Sequence, residues 1–239
     1  MSKIQELNNL YRAVNECHVC PNMDREKALR LTQGLNINSD IFIIMQSLAE
    51  NHLRKSGINF YNVKGMLGST GANLEKFLNK LGSTIYPTED LIVKRGTIRK
   101  SLMCYKTIYS SDIVLCYPGK SRRGSGDRKP LKEEIYTCIN QGFLLKEISI
   151  IKPRIVMLMG QASRDNFYKY ILNETDYPAS LSEHIYTIIE RREIPHHFIQ
   201  KINIGFYVFP IQHSSGANPR FYKMTDNDAI IKLIKRILN

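Results

Sequence analysis

The sequence predicts an α/β fold built on a parallel sheet covered by helices on both faces. Three observations carry that prediction. Near-continuous apolar runs of strand length recur, IFIIM at 41–45 and IVMLM at 155–159 among them, as strands buried on both faces require. Stretches with helical spacing separate these runs. No apolar run approaches the roughly 20 residues that cross a bilayer.

Taken in order, the first element is a helix. IQELNNLYRAVNEC places Ile4, Leu7, Leu10 and Val14 on one face. DIFIIM at 40–45 reads as a buried strand. GANLEKFLNKLG at 71–82 reads as a helix with Leu74, Phe77, Leu78 and Leu81 inward and Gly82 as its C-cap. KPLKEEIYTCINQGFLLKEISIIKP at 129–153 predicts one helix from Pro130 that stops before Pro153. RIVMLMG at 154–160 is a strand and QASRDNFYKYIL at 161–172 a helix. GFYVFPIQH at 205–213 is a further strand, and TDNDAIIKLIKRILN a closing helix with Thr225 as N-cap. Residues 170–204 read as a polar, irregular excursion. Neither a repeat nor a low-complexity segment is visible, and the whole chain, 1–239, is expected to form one domain.

The chain has 239 residues, is 43% hydrophobic and 23% charged, and carries a net charge of +12. That composition is globular, and the charge favours polyanions, nucleic acid ahead of acidic membrane. The amino terminus lacks an apolar secretory core, so a soluble, cytoplasmic protein is expected. The five cysteines, Cys17, Cys20, Cys104, Cys116 and Cys138, argue against a disulfide framework. Cys17 and Cys20 form a C-x-x-C. That spacing suits a pair of helix-end thiols as well as zinc, and four thiolates can also hold an iron–sulfur cluster.

Parallel sheets bind ligands beyond the carboxyl ends of their strands. Polar residues follow the first strand in IIMQSLAEN and the last in FPIQHSSGANPR, and Asp112 sits in the apolar run YKTIYSSDIVLCYPGKSRRG. Those three places form the candidate site. The run reads by pattern alone as a strand at IVLCY.

Several motifs then fall into a known arrangement. CHVC, DIVLCYPGKSRRGSGDRKPLKEEIYTC, IIKPRIVMLMGQAS and HSSGANPRF together resemble the uracil-DNA glycosylase superfamily over residues 10 to 222, and most nearly its iron–sulfur, family-4-like branch. Pro130, Glu134 and Cys138 reproduce that branch's P-x-x-x-E-x-x-x-C helix. The resemblance implies a three-layer α/β/α sandwich with a central, mainly parallel four-stranded sheet. It implies a [4Fe–4S] cluster on Cys17, Cys20, Cys116 and Cys138 with a structural role, and leaves Cys104 as a buried apolar residue. It also moves the strand forward to TIYSS, with Asp112 at its carboxyl end and Cys116 in the outgoing loop. The expected partner is DNA, in double or single strands with a flipped base, and the expected state a monomer.

The chain departs from the family where the family's water-positioning loop reads Gly-Glu-x-Pro-Gly. Here Met45, Gln46, Leu48 and Ala49 take those places, and Glu50 is the nearest carboxylate. Gln46 and Glu50 are thus the candidates for positioning water or steadying a cationic sugar. Met66 replaces the phenylalanine that stacks on the base, and Phe60 or Tyr61, in a longer intervening loop, can supply the ring. HSSGANPRFY resembles the family's His-Pro-Ser motif. It implies that His213 donates to the departing base and that Ser214, Ser215, Asn218 and Arg220 hold DNA phosphates. Arg122, Arg123 and Arg128 in the basic loop are further backbone contacts, whereas His18, His184, His196 and His197 are expected on loops without chemistry. Asp112 stands where the family has asparagine. A carboxylate only accepts, so it welcomes the N4 amino group of cytosine and repels O4 of uracil. The expected activity is therefore a monofunctional DNA glycosylase acting on a modified cytosine, as do superfamily members that attack glucosylated hydroxymethylcytosine in phage DNA. Conventional uracil excision in repair and a non-catalytic DNA binder are the rival readings, with an RNA-binding module behind both.

Overall fold

The computed structural model describes residues 1–20, 37–49, 60, 67–85, 106–121, 126–215 and 218–239. Its centre is a five-stranded sheet of β1 (Ile41–Ser47), β4 (Tyr109–Val114), β5 (Ile155–Met159), β6 (His196–Ile199) and β7 (Ile204–Ile211), in the order β4-β1-β5-β7-β6. The first four in that order run parallel, and β6 pairs antiparallel with β7 at the edge. Two short strands, β2 (Ser83–Thr84) and β3 (Lys106–Thr107), form a separate parallel ladder. The mainly parallel α/β/α arrangement expected from the sequence is present, with one antiparallel edge strand added.

Alternation along each strand splits the core in two. Phe42, Ile44, Val156, Leu158 and Val208 face one layer. That layer is built from α1 (Lys3–Glu16), α3 (Lys132–Asn140), α4 (Phe143–Ile151) and α5 (Gln161–Phe167), the last continuing as a π-helical stretch over Tyr168–Leu172. Ile41, Ile43, Ile155, Met157, Phe209 and Ile211 face the other. Its helices are α2 (Ser69–Lys80), α6 (Leu181–Arg191), α7 (Pro219–Thr225) and α8 (Asp228–Leu238).

Local chemistry explains where the elements differ from the sequence pattern. The stretch 130–152 is two helices, because Gly142 takes φ +72° between them. Only glycine adopts that left-handed turn without strain, so the break sits there. Thr225 ends α7, and the cap of α8 is Asn227, whose side chain accepts from the Ala229 N–H at 2.9 Å. Ile4 is 51% exposed, and Tyr11 takes the fourth inward place on α1. The stretch 170–204, expected to be irregular, contains α6 and β6. His184 is buried on α6, and His196 and His197 lie on β6 rather than on loops. β4 begins at Tyr109 and runs through Val114, so Asp112 lies inside the strand and not at its carboxyl end, while Cys116 does fall in the outgoing loop.

Candidate functional site

The carboxyl ends of β1, β4, β5 and β7 lie side by side, and the polar residues singled out in the sequence gather along that edge. Met45 pairs in register with Asp112, which places Gln46 at the end of β1 beside the β4 carboxylate. Ser111 points into the α4 layer, where its hydroxyl donates to Glu147 Oε2. By alternation Asp112 leaves the sheet on the α2 side, where it is fully buried. Gln46 is half-buried.

His213 follows β7 and packs beside the turn after β5, where Gly160 takes φ +86°. A Cβ at Gly160 would lie 3.8 Å from the His213 ring. The Ser215 N–H donates to His213 Nδ1 at 3.2 Å, so the proton of the neutral ring resides on Nε2. The ring reaches solvent along one side, but partial desolvation against the strand ends pushes its pKa below the usual histidine value. At neutral pH His213 is therefore an uncharged Nε2–H donor.

The loop behind His213 is braced by its own residues. Asn218 donates from Nδ2 to the His213 carbonyl at 2.9 Å, and its Oδ1 accepts from the Arg220 N–H as the cap of α7. Ser214 is fully buried, its hydroxyl 3.7 Å from the Met159 sulfur, and its carbonyl accepts from Asn73 Nδ2 of α2 at 3.1 Å. Ser214 is thus buried inside the loop that Asn218 braces, while Arg220 is exposed. Asn73 was not legible as a site residue, because an asparagine inside an apolar helix face carries no motif.

Phe60 is 2% exposed and sits in the α2-side core with φ +71°, a conformation that a bulky residue rarely takes. Its carbonyl accepts from the Gly68 N–H at 2.9 Å, at the start of α2. A Cβ at Gly71 would come within 2.9 Å of both the Phe60 Cβ and carbonyl oxygen. Glycine at 71 is what allows Phe60 to lie there. Glu50, Tyr61, Met66, Arg122, Arg123 and Cys104 lie outside the described residues.

Arg128 was expected to face DNA, but its guanidinium grips Glu134 with two hydrogen bonds of 2.6 and 2.7 Å. Glu134 also accepts from the Leu131 N–H at 2.7 Å. Burial would raise its pKa, yet those bonds to Arg128 and Leu131 hold it below the usual carboxylate range. Glu134 and Arg128 therefore clamp the basic loop onto the start of α3.

Four cysteines from three segments, Cys17 and Cys20 after α1, Cys116 after β4 and Cys138 on α3, line one small cavity. None of the four is in a disulfide among the described residues. Burial pushes the Cys138 thiol up to about 12, and the neighbouring Cys116, Cys20 and Cys17 add to the shift. Among the described residues no group of three His, Cys, Asp or Glu is arranged to hold a metal ion. The described helices include none long and apolar enough to cross a membrane.

Two comparisons bear on this arrangement. The family model of the uracil DNA glycosylase superfamily matches residues 33–236, a span that takes in the whole sheet and begins after α1 and the Cys17–Cys20 pair. No curated protein matches the chain.

Proposed function

The chain belongs to the uracil DNA glycosylase superfamily, and on that premise we propose that it flips a nucleotide from DNA and hydrolyses the bond joining base to sugar. Members of this superfamily are generally DNA glycosylases, and they act on DNA. The observation that carries the reading to this chain is the neutral Nε2–H of His213 at the carboxyl end of β7, fixed by the Ser215 N–H. When the C1′–N1 bond breaks, its electron pair stays on the base, and the sugar becomes an oxocarbenium-like cation. A neutral donor aimed at the base oxygen stabilises that developing negative charge more in the transition state than in the ground state. Water then adds to C1′ and gives up a proton, leaving an abasic sugar and a neutral free base. Gln46 orients that water through its amide oxygen, and Glu50 is the carboxylate near enough in sequence to steady the cation.

The base we assign is a modified cytosine. Asp112 is buried on the α2 side of β4, one strand from Gln46, and a carboxylate there accepts from an exocyclic amino group but not from a carbonyl. Oligonucleotides carrying uracil, cytosine, 5-hydroxymethylcytosine or its glucosylated form, each single- and double-stranded, test the assignment when scored for abasic sites. Cleavage confined to the cytosine derivatives is the expected result. Efficient removal of uracil alone overturns the assignment. Tight DNA binding with no abasic product from any base points to a non-catalytic binder, a reading that Gln46 in place of a glutamate favours.

We also propose that Cys17, Cys20, Cys116 and Cys138 hold a [4Fe–4S] cluster. Supporting this are the four cysteines around one cavity, the number of thiolates that a [4Fe–4S] cluster takes as ligands. The cluster's contribution is structural, tying the end of α1 to the basic loop and α3; bond cleavage uses none of its chemistry.

A further inference from the structure

We propose that the groove between α6, α7 and α8 is a second nucleotide subsite, which holds the neighbour of the flipped nucleotide on the same DNA strand. The proposal rests on the glycosylase reading above and adds a place where the strand is gripped outside the base pocket.

The groove has a volume of about 420 Å³ and opens at the end of β7, where Gln212, the residue before His213, forms part of its wall. Its floor is apolar, from Ile185, Met224 and Ile230. Tyr186 stands at its edge with 48% of its surface exposed. Arg220 and Lys223 lie one helical turn apart on α7, both exposed, and neither forms an ion pair among the described residues. Lys80, Lys120 and Arg128, by contrast, are each paired with a carboxylate. No Asp or Glu is among the described residues that line the groove. The amino-terminal ends of α6 and α8, whose caps Ser180 and Asn227 also line it, add positive potential.

An apolar floor, an exposed aromatic face and a cationic lip match a nucleotide part by part. The base stacks on Tyr186 above the floor, and the phosphate sits between Arg220 and Lys223. A purely apolar ligand would leave the two cations unused, and a free anion would leave the floor exposed. Continuity with His213 favours the same strand over a separate small molecule.

The test uses the full-length protein and a labelled single-stranded oligonucleotide with a tetrahydrofuran abasic site, which binds whatever base the enzyme prefers. Lys223→Ala should lower the slope of log affinity against log salt by about 0.7. Tyr186→Ala should weaken binding roughly fivefold or more, the range for loss of one base–aromatic stack. Lys146→Ala, on the opposite helical layer, should leave binding unchanged. Of two oligonucleotides truncated on the 5′ or the 3′ side of the abasic nucleotide, one should abolish the difference between wild type and Tyr186→Ala. If the wild type binds but both groove variants match it in affinity and salt slope, the subsite is overturned and the glycosylase reading stands. If the wild type binds no DNA at all, both fall.

Discussion

Asp112 shows how much one side chain decides at the residue scale. On the proposed assignment, a carboxylate in place of the asparagine that the resemblance leads one to expect removes a donor and leaves two acceptors, which favours an amino over a carbonyl edge of the base. Asp112→Asn should therefore slow excision of the modified cytosine and raise that of uracil, each by roughly ten- to a hundredfold in single-turnover rate. An unchanged ratio between the two bases would remove Asp112 from recognition. His213→Ala should cost about a hundredfold or more in the same assay, the usual loss for one preorganised donor; a variant that keeps the wild-type rate would move the donor elsewhere. Gly71 is a position of another kind. A methyl group there meets the Phe60 carbonyl and Cβ at 2.9 Å, so Gly71→Ala must push Phe60 out of its left-handed turn. A loss of about 1–3 kcal/mol in urea unfolding is expected, and an unaltered midpoint would show that Phe60 relaxes freely.

Between elements, buried polar groups do the fastening. Tyr11 of α1 and Tyr109 of β4 both donate to Glu147 of α4, and Ser111 donates to the other carboxylate oxygen. Burial, and after it the negative Glu147, push the Tyr109 pKa well above the usual tyrosine value, so the phenol stays a donor. Glu147→Ala would leave three buried hydroxyls short of an acceptor, with an expected loss of about 3 kcal/mol on denaturant unfolding. A loss under about 1 kcal/mol would mean water replaces the carboxylate. A second cluster joins α6 to the π-helical stretch. Burial pushes His184 down to about 4, with Arg164, His197 and Arg191 lowering it further. Its folded pKa lies below the usual value of about 6.5, so protons bind the unfolded chain more tightly. The contribution of neutral His184 is complete above pH 6.5 and declines as pH falls toward 4, by roughly 3 kcal/mol at most. Urea midpoints taken from pH 7 to pH 4.5 should fall less steeply for His184→Gln than for wild type. Parallel curves for the two proteins would assign the acid lability to other groups.

Across the whole molecule, the cysteine cavity links parts that are distant in the chain. Anaerobically purified protein should contain iron and acid-labile sulfide and absorb broadly in the blue. Cys17→Ser should lose the iron and lower the melting temperature, whereas Cys104→Ser should keep the iron. Stoichiometric zinc without iron would refute the cluster. The sequence by itself determined the parallel α/β core, because apolar strand-length runs such as IFIIM and IVMLM alternate with stretches of helical spacing that can cover both faces of a sheet. It determined the family as well, through motifs whose spacing is local, and it placed His213 at a strand end. Tertiary structure decided the rest. Pattern could not show that β4 takes in Asp112, since register depends on Met45 across the sheet. It could not show that Arg128 is engaged by Glu134 or that Ser214 is buried, because a charge or a hydroxyl reads alike whether paired or solvated. Nor could it find Asn73 against Ser214, or gather Tyr186, Gln212 and Lys223 around one groove. Those groupings join residues up to 141 positions apart, and only the packing of helices on the sheet brings such residues within reach of one another.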